Sequence, residues 1–66
     1  MSEIFDGNRL RSKRKELRIT QKELAEAVGV SLITISRYER SERIPDSNIL
    51  SKIVERFNCQ YDDLFI

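Results

Sequence analysis

The sequence predicts an all-α fold, a compact domain of five short helices, on two observations. Apolar residues recur at helical spacing. Ile49, Leu50, Ile53, Val54 and Phe57 fall at i, i+1, i+4, i+5 and i+8, a wide stripe down one helix face. Leu24, Ala25 and Val28 repeat the pattern at i, i+1 and i+4. The second observation is punctuation. Thr20, Ser31 and Asp46 stand where helix N-caps are wanted, and Gly29 and Asn58 stand where a helix can close in a left-handed residue. Sixty-six residues make a single domain, residues 1–66, with no linker or internal repeat.

In chain order, Met1 to Phe5 is a lead-in. Asp6 caps the first helix, with Phe5 and Leu10 spaced as a hydrophobic staple, although Gly7 is a poor first residue for a helix. This helix runs to about Leu17 and turns Leu10, Arg14 and Leu17 inward. Arg18 and Ile19 connect it to the second. Thr20 with Glu23 three residues later is a capping box, and Ile19 with Leu24 is a second staple. Gly29 supplies a turn where a Cβ would be penalised. Ser31 then restarts the chain as an N-cap, with Val30 and Ile35 as a third staple. Ala25 is small where the next helix crosses closely, and Ile35 is that helix's inward plug. Arg40 to Pro45 is a polar loop, and Asp46 caps the fourth helix. Gln60 to Phe65 forms a short last helix. Leu64 plugs the core, Asp62 and Asp63 suit the helix dipole, and Gln60 is a poor cap.

Residues 21–40 thus describe two short helices joined at a steep angle by a tight turn, a helix-turn-helix. ITQKELAEAVGVS (residues 19–31), ISRYER (35–40) and the later Pro45 match in order and spacing a known pattern. They resemble the DNA-binding motif of phage repressor and Cro-like (XRE-type) transcriptional regulators. The resemblance covers roughly residues 7 to 65 and implies the compact lambda-repressor-like fold. The chain departs from the family at Arg18 and Ser41, where glycine is usual.

The resemblance also implies a site. The second helix of the motif lies in the major groove with its N-terminal residues at base edges. Carried across by position, the base contacts are Ser31, Leu32, Ile33 and Arg37, with Thr34 and Ser36 beside them. If Val30 and Ile35 face the core, Leu32 and Ile33 are exposed aliphatics. They would meet thymine methyl groups, unless one packs under a neighbouring loop. Arg37 can bond guanine or hold a phosphate. Gln21, at the first turn of the motif, would hold a phosphate. Arg43 and Asn48 could clamp a second, and Arg11 and Arg14 are further candidates. Glu39 is the expected partner of Arg14, since the family pairs charges at these positions and a half-buried arginine needs a counter-charge. Tyr38 is expected to pack, with its hydroxyl at the surface.

Composition bounds the alternatives. The net charge is only +1, but it is polarised. Residues 1–22 hold Arg9, Arg11, Lys13, Arg14, Lys15, Arg18 and Lys22 against Glu3, Asp6 and Glu16. Residues 46–66 hold Lys52 and Arg56 against Asp46, Glu55, Asp62 and Asp63. The basic end suits a binding surface or a solvated helix face equally. The single Cys59 excludes an intramolecular disulfide and reads as a buried structural thiol; no histidine is present, and no metal-ligand or phosphate-loop spacing exists. Neither a membrane span nor a signal peptide is visible, so a cytoplasmic protein is expected. Catalysis has little to stand on, because Cys59 has no obvious base and Asp62 and Asp63, adjacent on a helix, point in different directions; no enzyme, cofactor, metal or small-molecule ligand is expected.

Two functions of different class follow. The first is a sequence-specific double-stranded DNA-binding regulator, a repressor occupying a near-palindromic operator as a weak homodimer. The second is a protein-interaction module of the same fold with little DNA binding, antitoxin-like or an adaptor. A dimer contact is expected away from the basic end, at Phe57, Cys59, Tyr61, Phe65 and Ile66. The alternative is that Phe65 folds onto the core and Ile66 frays.

Overall fold

The structure, a computed structural model, describes residues 4–66; part of the expected lead-in lies outside them. Four α-helices are present among the described residues: α1 Gly7–Glu16, α2 Gln21–Val28, α3 Leu32–Glu39 and α4 Ser47–Phe57. The expected fifth helix is a single 3-10 turn, Tyr61–Leu64. Only four residues separate Gln60 from Phe65, too few for an α-helix, and the Asp63 carboxylate closes the turn by accepting the Gln60 amide at 2.9 Å. Among the described residues no strand forms, only an antiparallel bridge between Phe5 and Phe65.

The caps act as their spacing implies. Asp6 accepts from the Asn8 amide, Ser31 from Thr34 and Asp46 from Ile49. The Thr20 hydroxyl accepts the Glu23 amide while the Glu23 carboxylate accepts the Thr20 amide, each at 3.0 Å, a complete capping box. Each helix then ends in one left-handed residue: Arg18, Gly29, Ser41 and Asn58 have φ of 56°, 78°, 58° and 53°. At Arg18 and Ser41 the closure is a Schellman motif. Ile19 N–H bonds Arg14 C=O and Arg18 N–H bonds Lys15 C=O; Glu42 and Ser41 repeat the pattern on Arg37 and Tyr38. The glycines missing from these two positions therefore do not change the turn; they leave it with side-chain strain that glycine would not have.

Leu10, Leu24, Val28, Ile35, Ile53 and Leu64 are fully buried at the centre. Leu17, expected inward, is 44% exposed, and Ile19 is buried instead. The left-handed turn at Arg18 reverses the chain just past Leu17 and delivers Ile19 to the core. Gly7 has a reason that its helix position hides. A Cβ there would stand 2.2 Å from the Tyr38 carbonyl oxygen and 2.5 Å from that of Glu39, so the start of α1 touches the end of α3 backbone to backbone. The Gly7 amide donates to the Ser41 hydroxyl at 3.0 Å, which gives Ser41 a role glycine could not fill.

The termini of the described chain are joined. Ile4 and Ile66 exchange backbone hydrogen bonds, the Asp6 amide bonds the Leu64 carbonyl, and the Phe5 and Phe65 rings meet edge to face at 5.8 Å. Phe5 is thus a buried core residue rather than lead-in, and Ile66 is tied down rather than frayed.

Two substitutions separate these effects in thermal melts. Arg18→Gly relieves left-handed strain and is expected to stabilise the domain by about 0.5–1 kcal/mol. Gly7→Ala forces α1 off α3 and is expected to cost at least about 2 kcal/mol. Equal melting temperatures for the two variants would contradict both accounts.

Candidate nucleic-acid interface

The site is built outward from a buried charge pair. Arg14 of α1 is 9% exposed and Glu39 of α3 is 5% exposed. The guanidinium donates through Nε to Glu39 Oε2 at 2.5 Å and through Nη2 to Oε1 at 3.2 Å, while Nη1 donates to the Ile19 carbonyl at 2.8 Å. Gln21 Nε2 of α2 donates to the same Glu39 Oε1 at 3.0 Å. The expected Arg14–Glu39 pair is therefore formed, and the expectation of Arg14 as a phosphate contact is corrected. Its donors point into the protein, and burial withholds the group from a surface ligand. Gln21 keeps its place at the first turn of α2, with its carboxamide tethered inward by Glu39.

This network and the core fix the rotation of α3. Ile35, Tyr38 and Glu39 are buried, which leaves two neighbouring outward stripes whose members lie one turn apart within each stripe. Leu32, Ser36 and Arg40 face an open groove of ≈ 640 Å³, lined also by Arg11, Thr20, Gln21 and Lys22, with Arg14 and Glu39 at its base. Ile33 and Arg37 form the second stripe, fully turned to solvent. Leu32 is 48% and Ile33 64% exposed, and neither packs against the core cluster. Ser31 and Thr34 are occupied with each other: the Ser31 hydroxyl caps the helix and lies 2.9 Å from the Thr34 hydroxyl.

The groove carries Arg11, Lys22 and Arg40 around the N-terminal end of α2, where the helix dipole also favours an anion. Lys22 and Arg40 were missed by the sequence reading. Arg40 follows Ser36 by one helical turn, and that spacing was the signal available. Its Nε sits 3.4 Å from Glu42 in an exposed pair. Arg43 and Asn48 are exposed, in the loop and in the first turn of α4. Tyr38 is buried at this edge. Desolvation pushes its phenol up, with Arg43 drawing it down and Asp46 raising it.

The expected dimer residues differ in burial. Phe57 is a core residue and is withdrawn, because α4 turns it inward with Leu50 and Ile53. Cys59 and Phe65 are half-buried against the core; Tyr61 and Ile66 are exposed. Burial first, then Asp63, push the Cys59 thiol up, while Lys13 draws it down. Among the described residues there is no metal-ligand cluster, and no helix is long and apolar enough to cross a membrane.

The sequence profile of the helix-turn-helix family matches residues 10–64, which includes all four helices apart from the first turn of α1. The chain belongs to the helix-turn-helix family. Repressor protein C2 of Salmonella phage P22 is 41% identical over 58 residues, 88% of this chain and 27% of that protein. An HTH-type transcriptional regulator of Archaeoglobus fulgidus is 40% identical over 58 residues, 88% of this chain and 83% of that one. The crystal structure of the P22 c2 repressor with a synthetic operator superposes with a TM-score of 0.83 over 88% of both chains. That of SinR, a master regulator of biofilm formation, in complex with DNA superposes with 0.79 at 30% identity, over 88% of this chain and 97% of that one. The chain spans less than half the length of the first curated relatives it matches. Helix-turn-helix regulators are not an enzymatic family.

Two measurements test the network and the cap. Glu39→Gln leaves the Arg14 charge buried without a counter-charge and is expected to cost about 3 kcal/mol. An unchanged melting temperature would mean that the pair contributes nothing. The Glu23 carboxylate is held below its ordinary value of 4.5, first by the Thr20 amide and then by the Thr20 hydroxyl. A depressed folded value means stability present above pH 4.5 and lost as pH falls through the lower folded value. Glu23→Gln keeps the box geometry and removes the titration, so its melting temperature is expected to fall less on acidification than that of the parent.

Proposed function

We propose that this chain is a sequence-specific, double-stranded DNA-binding transcriptional regulator. It acts as a repressor in the cytoplasm by occupying a near-palindromic operator as a weak homodimer. The observation that carries this reading is the outward surface of α3. Two large aliphatics, Leu32 and Ile33, are exposed on an eight-residue helix that also carries Arg37, and Arg11, Lys22 and Arg40 line the groove beside Leu32. A hydrocarbon ridge between cations matches base edges between two phosphate backbones. The near-neutral total charge does not oppose this, because Arg11, Lys22 and Arg40 are gathered around one groove beside α3.

In this arrangement α3 enters the major groove. The groove formed by Arg11, Lys22, Arg40 and the start of α2 receives one phosphate strand, and Arg43 with Asn48 approaches the other. Gln21, braced by Glu39, lies at the phosphate end of the groove. Two copies would place two such helices about 34–36 Å apart, one turn of DNA. Tyr61 and Ile66 are the exposed apolar side chains nearest the expected dimer surface, and so small a patch fits a dimer completed on DNA.

Fluorescence polarisation with mixed-sequence duplex across a salt series tests the reading. Affinity is expected to fall steeply with salt. Arg40→Gln and Arg11→Gln are each expected to reduce the logarithmic slope by about one, on every sequence alike. No binding to any duplex at low salt would overturn the proposal and favour the protein-interaction module.

A further inference from the structure

We propose that Lys15 and Arg18 bind phosphates of the duplex beyond the half-site, so that the protein grips flanking base pairs whose sequence it does not read. Neither residue is among the contacts that the family pattern implies. The proposal rests on the DNA-binding reading above and lengthens its footprint.

Arg18 is an anomaly in the fold. It holds the left-handed turn between α1 and α2 at φ 56°, where glycine would carry no strain. The turn itself uses only the backbone: Arg18 N–H bonds Lys15 C=O and Ile19 N–H bonds Arg14 C=O. The Arg18 side chain is exposed and joins none of the ion pairs among the described residues. The strain therefore brings no charge contact within the domain, and a strained residue without a structural role points to a functional one. Lys15 is equally exposed and equally without an ion pair among the described residues. The carboxylates close to both in sequence are engaged elsewhere, Glu16 with Lys13 and Glu23 in the cap of α2.

Their placement says which anion they meet. Arg11 lines the groove beside α3, and Lys15 follows it by one turn on the same flank of α1, about 6 Å along the axis. Arg18 comes next, in the turn that leads to Thr20 and Gln21 on the groove wall. A row of cations thus continues past the groove that receives the backbone. On the other flank of α1, Arg9, Ser12, Lys13 and Glu16 share a cleft with Asp63 of the 3-10 turn. Tyr61 and Ile66 of the proposed dimer surface belong to that C-terminal segment, so Lys15 and Arg18 lie on the side turned away from it. In a two-fold complex that side faces the outer ends of the operator. Phosphates of one strand recur about every 3.4 Å along the duplex axis, so the row reaches roughly two to four base pairs further. Contacts of this kind meet backbone charge alone and carry no sequence information.

Duplexes selected from a random pool by the wild-type protein, then shortened one base pair at a time from both ends, supply the test. The double variant Lys15→Gln, Arg18→Gln is expected to reach its full affinity on a short duplex. The wild-type protein is expected to keep gaining, about tenfold in all at low salt, over roughly two to four further base pairs at each end. On the longer duplex its logarithmic salt slope should exceed that of the double variant by about two per bound protomer; on the short duplex the slopes should agree. Scrambling the added base pairs should change neither result. Arg18→Gly separates charge from strain: its melting temperature should rise while its gain on the longer duplex shrinks. Arg18→Gln keeps the strain and should melt with the parent. Equal length dependence and equal slopes for wild type and double variant would overturn the proposal, as would a gain that follows the flanking sequence or survives intact in Arg18→Gly. A protein that ignores the flanks yet binds mixed-sequence DNA with a steep salt dependence loses only this inference. One that binds no duplex loses the function as well.

Discussion

The Glu39 carboxylate is where the first three helices meet, with Arg14 of α1 donating to both of its oxygens and Gln21 of α2 to one. Burying these charges is costly, and an apolar trio of similar volume would hold the helices at least as firmly. What the polar arrangement adds is direction. Only one rotation of α3 about its axis brings Glu39 to Arg14 while Ile35 and Tyr38 face the core. The backbone contact at Gly7 demands the same placement, because it leaves no room for a Cβ between α1 and the end of α3.

That rotation decides what α3 shows to solvent. A helix of eight residues has little more than two turns, and three of its residues are committed to the interior. The others must divide between a stripe beside the α2 terminus and a stripe facing away. Leu32 and Ile33 are exposed because the phase of the helix leaves them nowhere to pack. Leu32 at 48% and Ile33 at 64% exposure are adjacent in sequence on this helix, beside the cations of the groove. The cations follow the same geometry. Arg40 joins Arg11 and Lys22 across the groove only because α3 crosses the start of α2.

Left-handed helix ends are the second recurring device. Glycine fills one of the four, at the turn between α2 and α3. Asn58 is among the residues that tolerate this region, whereas Arg18 and Ser41 are held there by the closures around them. At Ser41 the hydroxyl also satisfies the first amide of α1, so a local backbone cost is tied to a contact between distant segments.

The helices themselves were legible in the sequence, because their determinants are local. The Thr20–Glu23 box, the Ser31 and Asp46 caps, the Gly29 turn and the α4 stripe each lie within a few residues of the backbone they shape. The exposure of Leu32 and Ile33 was readable from helix phase, and the Arg14–Glu39 pair from that phase together with a family resemblance. Other features depended on contacts between residues far apart in the chain. Gly7 reads as a weak helix start until α3 is seen against it. Leu17 reads as core until the Arg18 turn carries it outward. Arg14 reads both as the partner of Glu39 and as a candidate phosphate contact until its donors are seen to point inward, and Phe57 both as part of the α4 stripe and as interface until α4 is docked. The grouping of Arg11, Lys22 and Arg40, and the division of α3 into two stripes, also required the tertiary structure. Spacing along a chain determines which face of a helix a residue occupies; what that face meets is decided only when the helices pack.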